Sequence, residues 1–188
     1  MNHTVVLRTP LDTAKVKAAG LKRLPFSEGL FETVSSTASL ESADLESPAP
    51  FDDLVASLAA VVPEGGEAEL SARVRTETGW SEWYPLGTKK SDGFYSPEPF
   101  EDESGKVDVD TLKLKKPATA FRLRLRFKAG KKPVRLIQAA VAVSDADAPA
   151  APPPFLGAAA VRDLGLSPRS QGETQEKEKP QPAAGHRA

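Results

Sequence analysis

The chain has 188 residues, which is enough for one domain of ordinary size with a tail and too few for two large domains. A hydrophobic content of 39% and a charged content of 27% are typical of globular proteins, and a formal net charge of -1 gives no electrostatic footprint for nucleic acid. The sequence contains no cysteine, which excludes disulfides, thiolate metal sites and a cysteine nucleophile.

The N-terminal region contains short strand-like pieces, "TVVLRT" and "GLFETVSS", separated by prolines and glycines. The first fifteen residues lack the apolar core of a secretory signal, and no segment approaches the roughly 20 apolar residues that cross a bilayer. We therefore expect no membrane span. The two histidines, His3 and His186, lie near the termini, where an ordered catalytic triad or histidine-rich metal site is not favoured.

The strand signal is strong from residue 51 to 144. "FDDLVASLAAVV" predicts a strand because Pro63 and the "EGG" turn follow it directly. "EAELSARVRT" alternates apolar with polar residues, which predicts a half-buried antiparallel strand. Its apolar residues are Ala68, Leu70, Ala72 and Val74.

Three further segments complete the pattern. In "KVDVDTLKLK" the alternation changes phase, which predicts a bend or bulge near Thr111. "AFRLRLRFK" alternates without error from Phe121 to Lys128, so we predict a strand with the apolar side chains inward. "VRLIQAAVAVS" is an apolar run that suits a strand covered on both faces.

The spacing of the turn signals predicts the fold class. They recur at "PEGG", "TETG", "KKSDG", "DESGK" and "KAGKKP", and no long amphipathic helix separates the strands as a parallel sheet would require. We predict an all-β protein, an antiparallel β-sandwich of the jelly-roll, galactose-binding-like type, over residues 1–144. Residues 145–188, rich in Pro, Ala, Glu and Lys, predict a linker and a disordered tail.

Three motifs in a fixed order carry a family resemblance. They are an "R-x-R" strand (Arg73 and Arg75), the "WSEWYPLG" segment (80–87) and a "V-x-x-DTL" segment (107–112). Over about residues 51–144 the chain resembles the β-sandwich that precedes the catalytic domain in bacterial bacteriocin-processing-type (C-thirty-nine-like) cysteine peptidases. The resemblance implies an accessory domain of a peptidase-related protein. Such relatives are usually exported, whereas no signal is seen here, so the location stays open.

"RDLGLSPRSQGE" also resembles the entry into the papain-like catalytic domain of that family, with matches at Leu166 and at 168–171. No cysteine follows, so the chain as it stands is not expected to be an enzyme. Three interpretations remain: a non-catalytic accessory domain that binds carbohydrate or peptide, a cysteine peptidase whose catalytic domain is absent from this chain, or a structural protein-interaction module.

The candidate ligand-binding residues begin with three neighbouring aromatics, Trp80, Trp83 and Tyr84. Their flat faces could stack against sugar rings or peptide, or they could cap the open end of the sandwich. If the segment is a regular strand, Trp80 and Trp83 point to opposite sides and form no continuous platform.

Arg122 and Arg124 are further candidates, because they begin a basic stripe that continues through Arg126 and Lys128. Arg73 and Arg75 are expected nearby. Such a stripe could meet an anionic polymer, or it could be a solvated strand face balanced by neighbouring acids.

Asp102, Asp108 and Asp110 are candidate calcium ligands in a loop region that also holds Glu101 and Glu103. The alternative is a solvated hairpin turn at "ESGK", with Gly105 at a position of positive φ. No other cofactor is predicted.

Overall fold

The computed structural model describes residues 3–7 and 16–145. These residues form fourteen strands and one short 3-10 turn, Phe26–Glu28. The strands are β1 (His3–Leu7), β2 (Lys17–Ala19), β3 (Leu21–Arg23), β4 (Phe31–Thr33), β5 (Thr37–Glu41), β6 (Leu45–Val61), β7 (Glu67–Thr76), β8 (Gly79–Trp80), β9 (Tyr84–Lys89), β10 (Phe94–Tyr95), β11 (Phe100–Glu101), β12 (Gly105–Asp108), β13 (Thr111–Lys128) and β14 (Arg135–Ser144). The described residues contain no helix suited to crossing a membrane. The predicted linker and tail lie outside the described residues after Asp145 and stay a prediction.

The strands pair antiparallel throughout and build two layers. Layer one has the order β10-β9-β7-β13-β5-β2, with β8 attached to the end of β7. Layer two has the order β11-β12-β13-β6-β14, and β14 pairs on its other side with β1 and with the β3-β4 hairpin. The predicted fold class, an all-β antiparallel β-sandwich, is confirmed.

Strand β13 belongs to both layers. Its first part, from Thr111 to Ala118, pairs with β6 in layer two, and its second part, from Ala120 to Lys128, pairs with β7 in layer one. The register shifts between these two parts, next to Pro117, which has no N–H to donate to a neighbouring strand. The broken ladder allows one strand to pass from one layer to the other.

The core lies between the layers. The ring of Tyr84 in layer one meets the ring of Phe100 in layer two edge to face, with centroids 5.6 Å apart. Phe51 and Phe121 make a second edge-to-face contact at 6.0 Å. The largest fully buried side chains are Tyr84, Phe31, Phe51, Phe121, Leu40, Leu54, Leu70, Leu86, Leu112, Leu123, Leu125 and Leu136.

The central strands predicted from alternation are confirmed. Strand β7 coincides with "EAELSARVRT", and all four of its alternating apolar side chains are buried. In β13 the apolar side chains from Phe121 to Phe127 are buried, whereas Arg126 and Lys128 are exposed. "FDDLVASLAAVV" lies in β6, as predicted.

Two local predictions need correction. Of the bend or bulge predicted near Thr111, the bulge is wrong: the chain reverses in a hairpin turn, because β12 ends at Asp108, β13 begins at Thr111, and these two residues pair with each other. The "ESGK" turn is present, but Gly105 does not have a positive φ; the residue of this region that does is Val109, at 61°. A Cβ on Gly105 would lie 2.6 Å from the backbone oxygen of Lys113, so close packing requires this glycine.

Strand β14 also differs from its prediction. Only one of its faces is covered, by the core, and that face carries Leu136, Ala139, Val141 and Val143. On the other face Ile137 is 38% exposed and Ala142 is exposed. Small apolar residues on the outer face make the sequence of β14 continuously apolar, and such a sequence resembles that of a strand buried on both faces.

Candidate functional site

The outer face of layer one carries the arginines of β7 and β13. Arg73 lies directly opposite Arg122 in the antiparallel register, and Arg75 lies opposite Ala120. Their sequence neighbours Val74 and Leu123 point into the core, so the arginines point outward. The predicted proximity of Arg73 and Arg75 to the basic stripe is therefore confirmed.

Both tryptophans lie on this same outer face, because residues 81–83 do not form the regular strand in which the two side chains would point to opposite sides. The chain leaves strand geometry between Trp80 at the end of β8 and Tyr84 at the start of β9. Ser81 fastens this loop to β7: its N–H donates to the carbonyl oxygen of Val74 at 2.9 Å, and its hydroxyl accepts from the Val74 N–H at 3.1 Å. The two-residue alternation assumed for the segment does not apply across 81–83.

Guanidinium groups and indole rings alternate on this face, in a cluster that we call the Arg–Trp ladder: Trp80, Trp83, Arg73, Arg75, Arg122 and Arg124. The Cζ of Arg73 is 5.1 Å from the Trp80 ring centroid and 4.7 Å from that of Trp83. Arg122 and Arg75 lie 4.7 and 5.9 Å from the Trp80 ring, and Arg124 lies 4.2 Å from the Trp83 ring. Each such contact contributes about 0.5–1 kcal/mol at a partly exposed site, so the ladder stabilises the 81–83 loop.

Three carboxylates, from the end of β5, the β5–β6 connection and the start of β6, balance part of this charge. Glu41 lies 3.5 Å from Arg73 and 3.4 Å from Arg122. Glu46 accepts a short hydrogen bond from Arg75, and Asp44 accepts one from Arg122. The hydrogen bond from Arg122 lowers the pKa of Asp44, and the same bond raises the pKa of Arg122. Asp44 and Arg122 are therefore both charged at neutral pH.

Tyr84 does not share this surface, although it was a candidate ligand residue. Its side chain is 0% exposed and lies in the core between the layers. Its hydroxyl donates to Asp102 Oδ1 at 2.5 Å, across from layer one to layer two. Burial, reinforced by this bond to a carboxylate, raises the pKa of Tyr84. The position indicates a structural role for the tyrosine.

The candidate calcium ligands are not gathered into one site. Asp102 Oδ1 accepts, besides the Tyr84 bond, the backbone N–H groups of Ser104 and Gly105 at 2.8 and 2.9 Å, so it closes the β11–β12 turn. Burial opposes its ionisation, but these donated bonds keep the pKa of Asp102 below its ordinary value. Asp108 ends β12, and Asp110 lies in the turn that follows. Over residues 3–7 and 16–145, no group of three or more acidic or histidine side chains is placed to hold a metal ion.

Comparisons with known proteins identify a family and a solved structure that are similar to this chain. A family model described as the peptidase C39 N-terminal domain matches residues 3–144. A solved structure titled "Structural basis for the promiscuous specificity of the carbohydrate-binding modules from the beta-sandwich super family" is similar at 14% sequence identity with a TM-score of 0.31. That match covers 76% of this chain and 56% of the other, so the chain spans about half the length of that protein. No curated protein matches the sequence.

Proposed function

The chain belongs to the family of peptidase C39 N-terminal domains, and on that premise we propose that it is a non-catalytic accessory domain that binds carbohydrate at the Arg–Trp ladder. The family assignment confirms the resemblance found in the sequence. Since the sequence contains no cysteine, the chain has no thiolate with which to attack a peptide bond.

The observation that carries the proposal is the placement of two half-exposed indoles on one open sheet face, with a guanidinium between them. Planar aromatic groups supply rigid contact area at a low cost in side-chain entropy. Guanidinium groups supply several N–H donors in fixed directions, which suit the hydroxyl oxygens of a sugar. The combination fits a ring-shaped ligand that is both apolar on its faces and polar at its rim.

The position of the ladder within the sheet favours carbohydrate over peptide. Peptides often bind by adding a strand to an open sheet edge, where main-chain groups are free. Strands β7 and β13 pair with each other through the ladder, and each has a second neighbour over part of its length, β9 and then β8 for β7, and β5 for β13. Recognition here therefore depends on side chains alone.

A pull-down with insoluble cell-wall polysaccharide, supported by a glycan array, tests the proposal. The wild-type protein should be retained, and Trp83→Ala should be retained at least tenfold less, because the loss removes both a contact surface and the support for two arginines. Phe94→Ala is the matched control, because Phe94 is also an exposed aromatic (41%) but lies on β10 at the edge of layer one. Retention of Phe94→Ala should equal that of the wild type.

Other outcomes identify the alternatives. Equal retention of the wild type and Trp83→Ala would mean that carbohydrate binds elsewhere. If no polysaccharide is retained but a peptide library is, the ligand is a peptide. If neither binds, the protein-interaction module is the better interpretation.

A further inference from the structure

The arginines of the Arg–Trp ladder differ in their electrostatic partners. Arg73, Arg75 and Arg122 each have a carboxylate within 4 Å. Arg124 has none among the residues that the structure describes, although it stacks most closely of all on an indole, 4.2 Å from the Trp83 centroid. One member of the ladder is therefore a cation without a direct ion pair, although Glu41 and Glu69 attract it at longer range.

This cation is partly withdrawn from water. Arg124 is half-buried, and its Nε is enclosed with no hydrogen-bond acceptor. Burial lowers the pKa of Arg124, and the neighbouring Arg126 and Arg73 guanidiniums lower it further, whereas Glu41 and Glu69 offset only part of this decrease. Holding a positive charge in such surroundings is unfavourable unless an anion compensates it. Unfavourable charge placement of this kind is concentrated at functional sites.

The surroundings of Arg124 leave room for an anion. Arg124 lines a cleft of about 180 Å³ with Lys17, Ser39 and Glu41. Glu41 lies opposite Arg124 in the register of β5 and β13 and attracts it, but the ion pairs that Glu41 makes within 4 Å are with Arg73 and Arg122. Lys17 is exposed and adds a second positive charge, and the Ser39 side chain adds a hydroxyl. The cleft is thus a cationic recess beside Trp83.

We propose that Arg124, held flat by Trp83, binds the carboxylate of an acidic sugar, so that the carbohydrate recognised by this domain is a uronic-acid-type polymer. A planar guanidinium pairs with a carboxylate through two parallel N–H···O bonds, which fix both distance and orientation. Stacking on the indole reduces the rotamer freedom that the arginine would lose on binding. The inference rests on the proposed function, since it names the chemistry of the sugar that the ladder receives.

The test compares two oligosaccharides that differ only in charge. Tetragalacturonic acid and its fully methyl-esterified form have the same rings, but only the first has free carboxylates. By isothermal titration calorimetry, the wild-type protein should bind the acid at least tenfold more tightly than the ester, and added NaCl should reduce this difference.

Two variants and one control assign the effect to Arg124. Arg124→Gln should weaken binding of the acid by about tenfold or more and weaken binding of the ester by a smaller factor, so that the preference for the acid is lost. Arg124→Lys keeps the positive charge but loses the two parallel N–H donors of the guanidinium, so its affinity for the acid should lie between those of Arg124→Gln and the wild type. Lys131→Gln is the control for loss of one positive charge, since Lys131 is exposed in the β13–β14 turn. Circular dichroism checks that each variant is folded.

The outcomes separate the inference from the proposed function. If the ester binds as well as the acid and Arg124→Gln has no effect, the inference is wrong while carbohydrate binding stands. If neither sugar binds, the inference is wrong, and the polysaccharide pull-down decides whether the proposed function fails as well. If tetraglutamate peptide binds in an Arg124-dependent manner and the sugar acid does not, the carboxylate belongs to a peptide, and the inference is overturned.

Discussion

Removing the hydroxyl of Tyr84 provides a sensitive test of its structural role. Tyr84→Phe keeps the buried ring and its edge-to-face contact with Phe100, but it removes the 2.5 Å hydrogen bond to Asp102. A hydrogen bond to a charged group contributes about 1.5–3 kcal/mol to the free energy of unfolding. Since Asp102 Oδ1 keeps two backbone N–H donors, we expect a loss near the lower half of this range, about 2 kcal/mol.

Urea unfolding measures this change directly. The only two tryptophans, Trp80 and Trp83, lie on layer one and report its unfolding by fluorescence. With an m value of roughly 2 kcal/mol/M, a loss of about 2 kcal/mol lowers the midpoint by about 1 M urea. The m value itself should not change, because the surface exposed on unfolding is the same.

A double-mutant cycle with Asp102→Ala isolates the pair. The coupling free energy between Tyr84 and Asp102 should exceed about 1 kcal/mol, since the two side chains share one bond. An unfolding midpoint equal to that of the wild type for Tyr84→Phe would refute the structural role. So would a Tyr84→Phe variant that keeps its stability but loses polysaccharide binding.

Three further predictions concern the two hairpin turns of layer two. The pKa of Asp102 is lower in the folded protein than in the unfolded chain, where it is about 4. The ionised carboxylate therefore stabilises the fold fully above about pH 4, and this stabilisation is lost as the pH falls through the folded pKa. Asp102→Asn should flatten the acid side of a plot of the free energy of unfolding against pH. Gly105→Ala should lower the free energy of unfolding by about 1–3 kcal/mol in urea, because its Cβ would press on the Lys113 carbonyl; an unchanged midpoint would contradict this packing. Val109→Gly should raise the free energy of unfolding by about 1 kcal/mol, since Val109 has a φ of 61° and is 61% exposed. A lower urea midpoint would contradict the argument from backbone strain.

The strands could be predicted because strict alternation leaves little choice. From Phe121 to Lys128 every second side chain is apolar, and only an extended chain places all of them on one face. The turn at Val109 was harder, because a β-branched residue is rarely found at positive φ. Its phase change was visible in the sequence, but alternation alone does not distinguish one bulged strand from two short strands that pair with each other.

The Arg–Trp ladder could be predicted only in its parts. Its assembly requires Arg73 to lie opposite Arg122, a register set by two strands about fifty residues apart. It also requires the chain to leave strand geometry between Trp80 and Trp83, so that an odd separation still places both indoles outward. Ser81, which ties this loop to β7, was the local signal: a short hydroxyl side chain that can replace a strand hydrogen bond.

The central claim is that carbohydrate binds at the Arg–Trp ladder, and the indole N–H signals of the full chain test it most directly. The protein has only two tryptophans, so its ¹H–¹⁵N spectrum contains two such signals, which Trp80→Phe and Trp83→Phe assign. Titration with the polysaccharide retained in the pull-down should shift both signals in a saturable manner. Saturable binding that moves backbone signals elsewhere and leaves both indole signals in place would contradict the account.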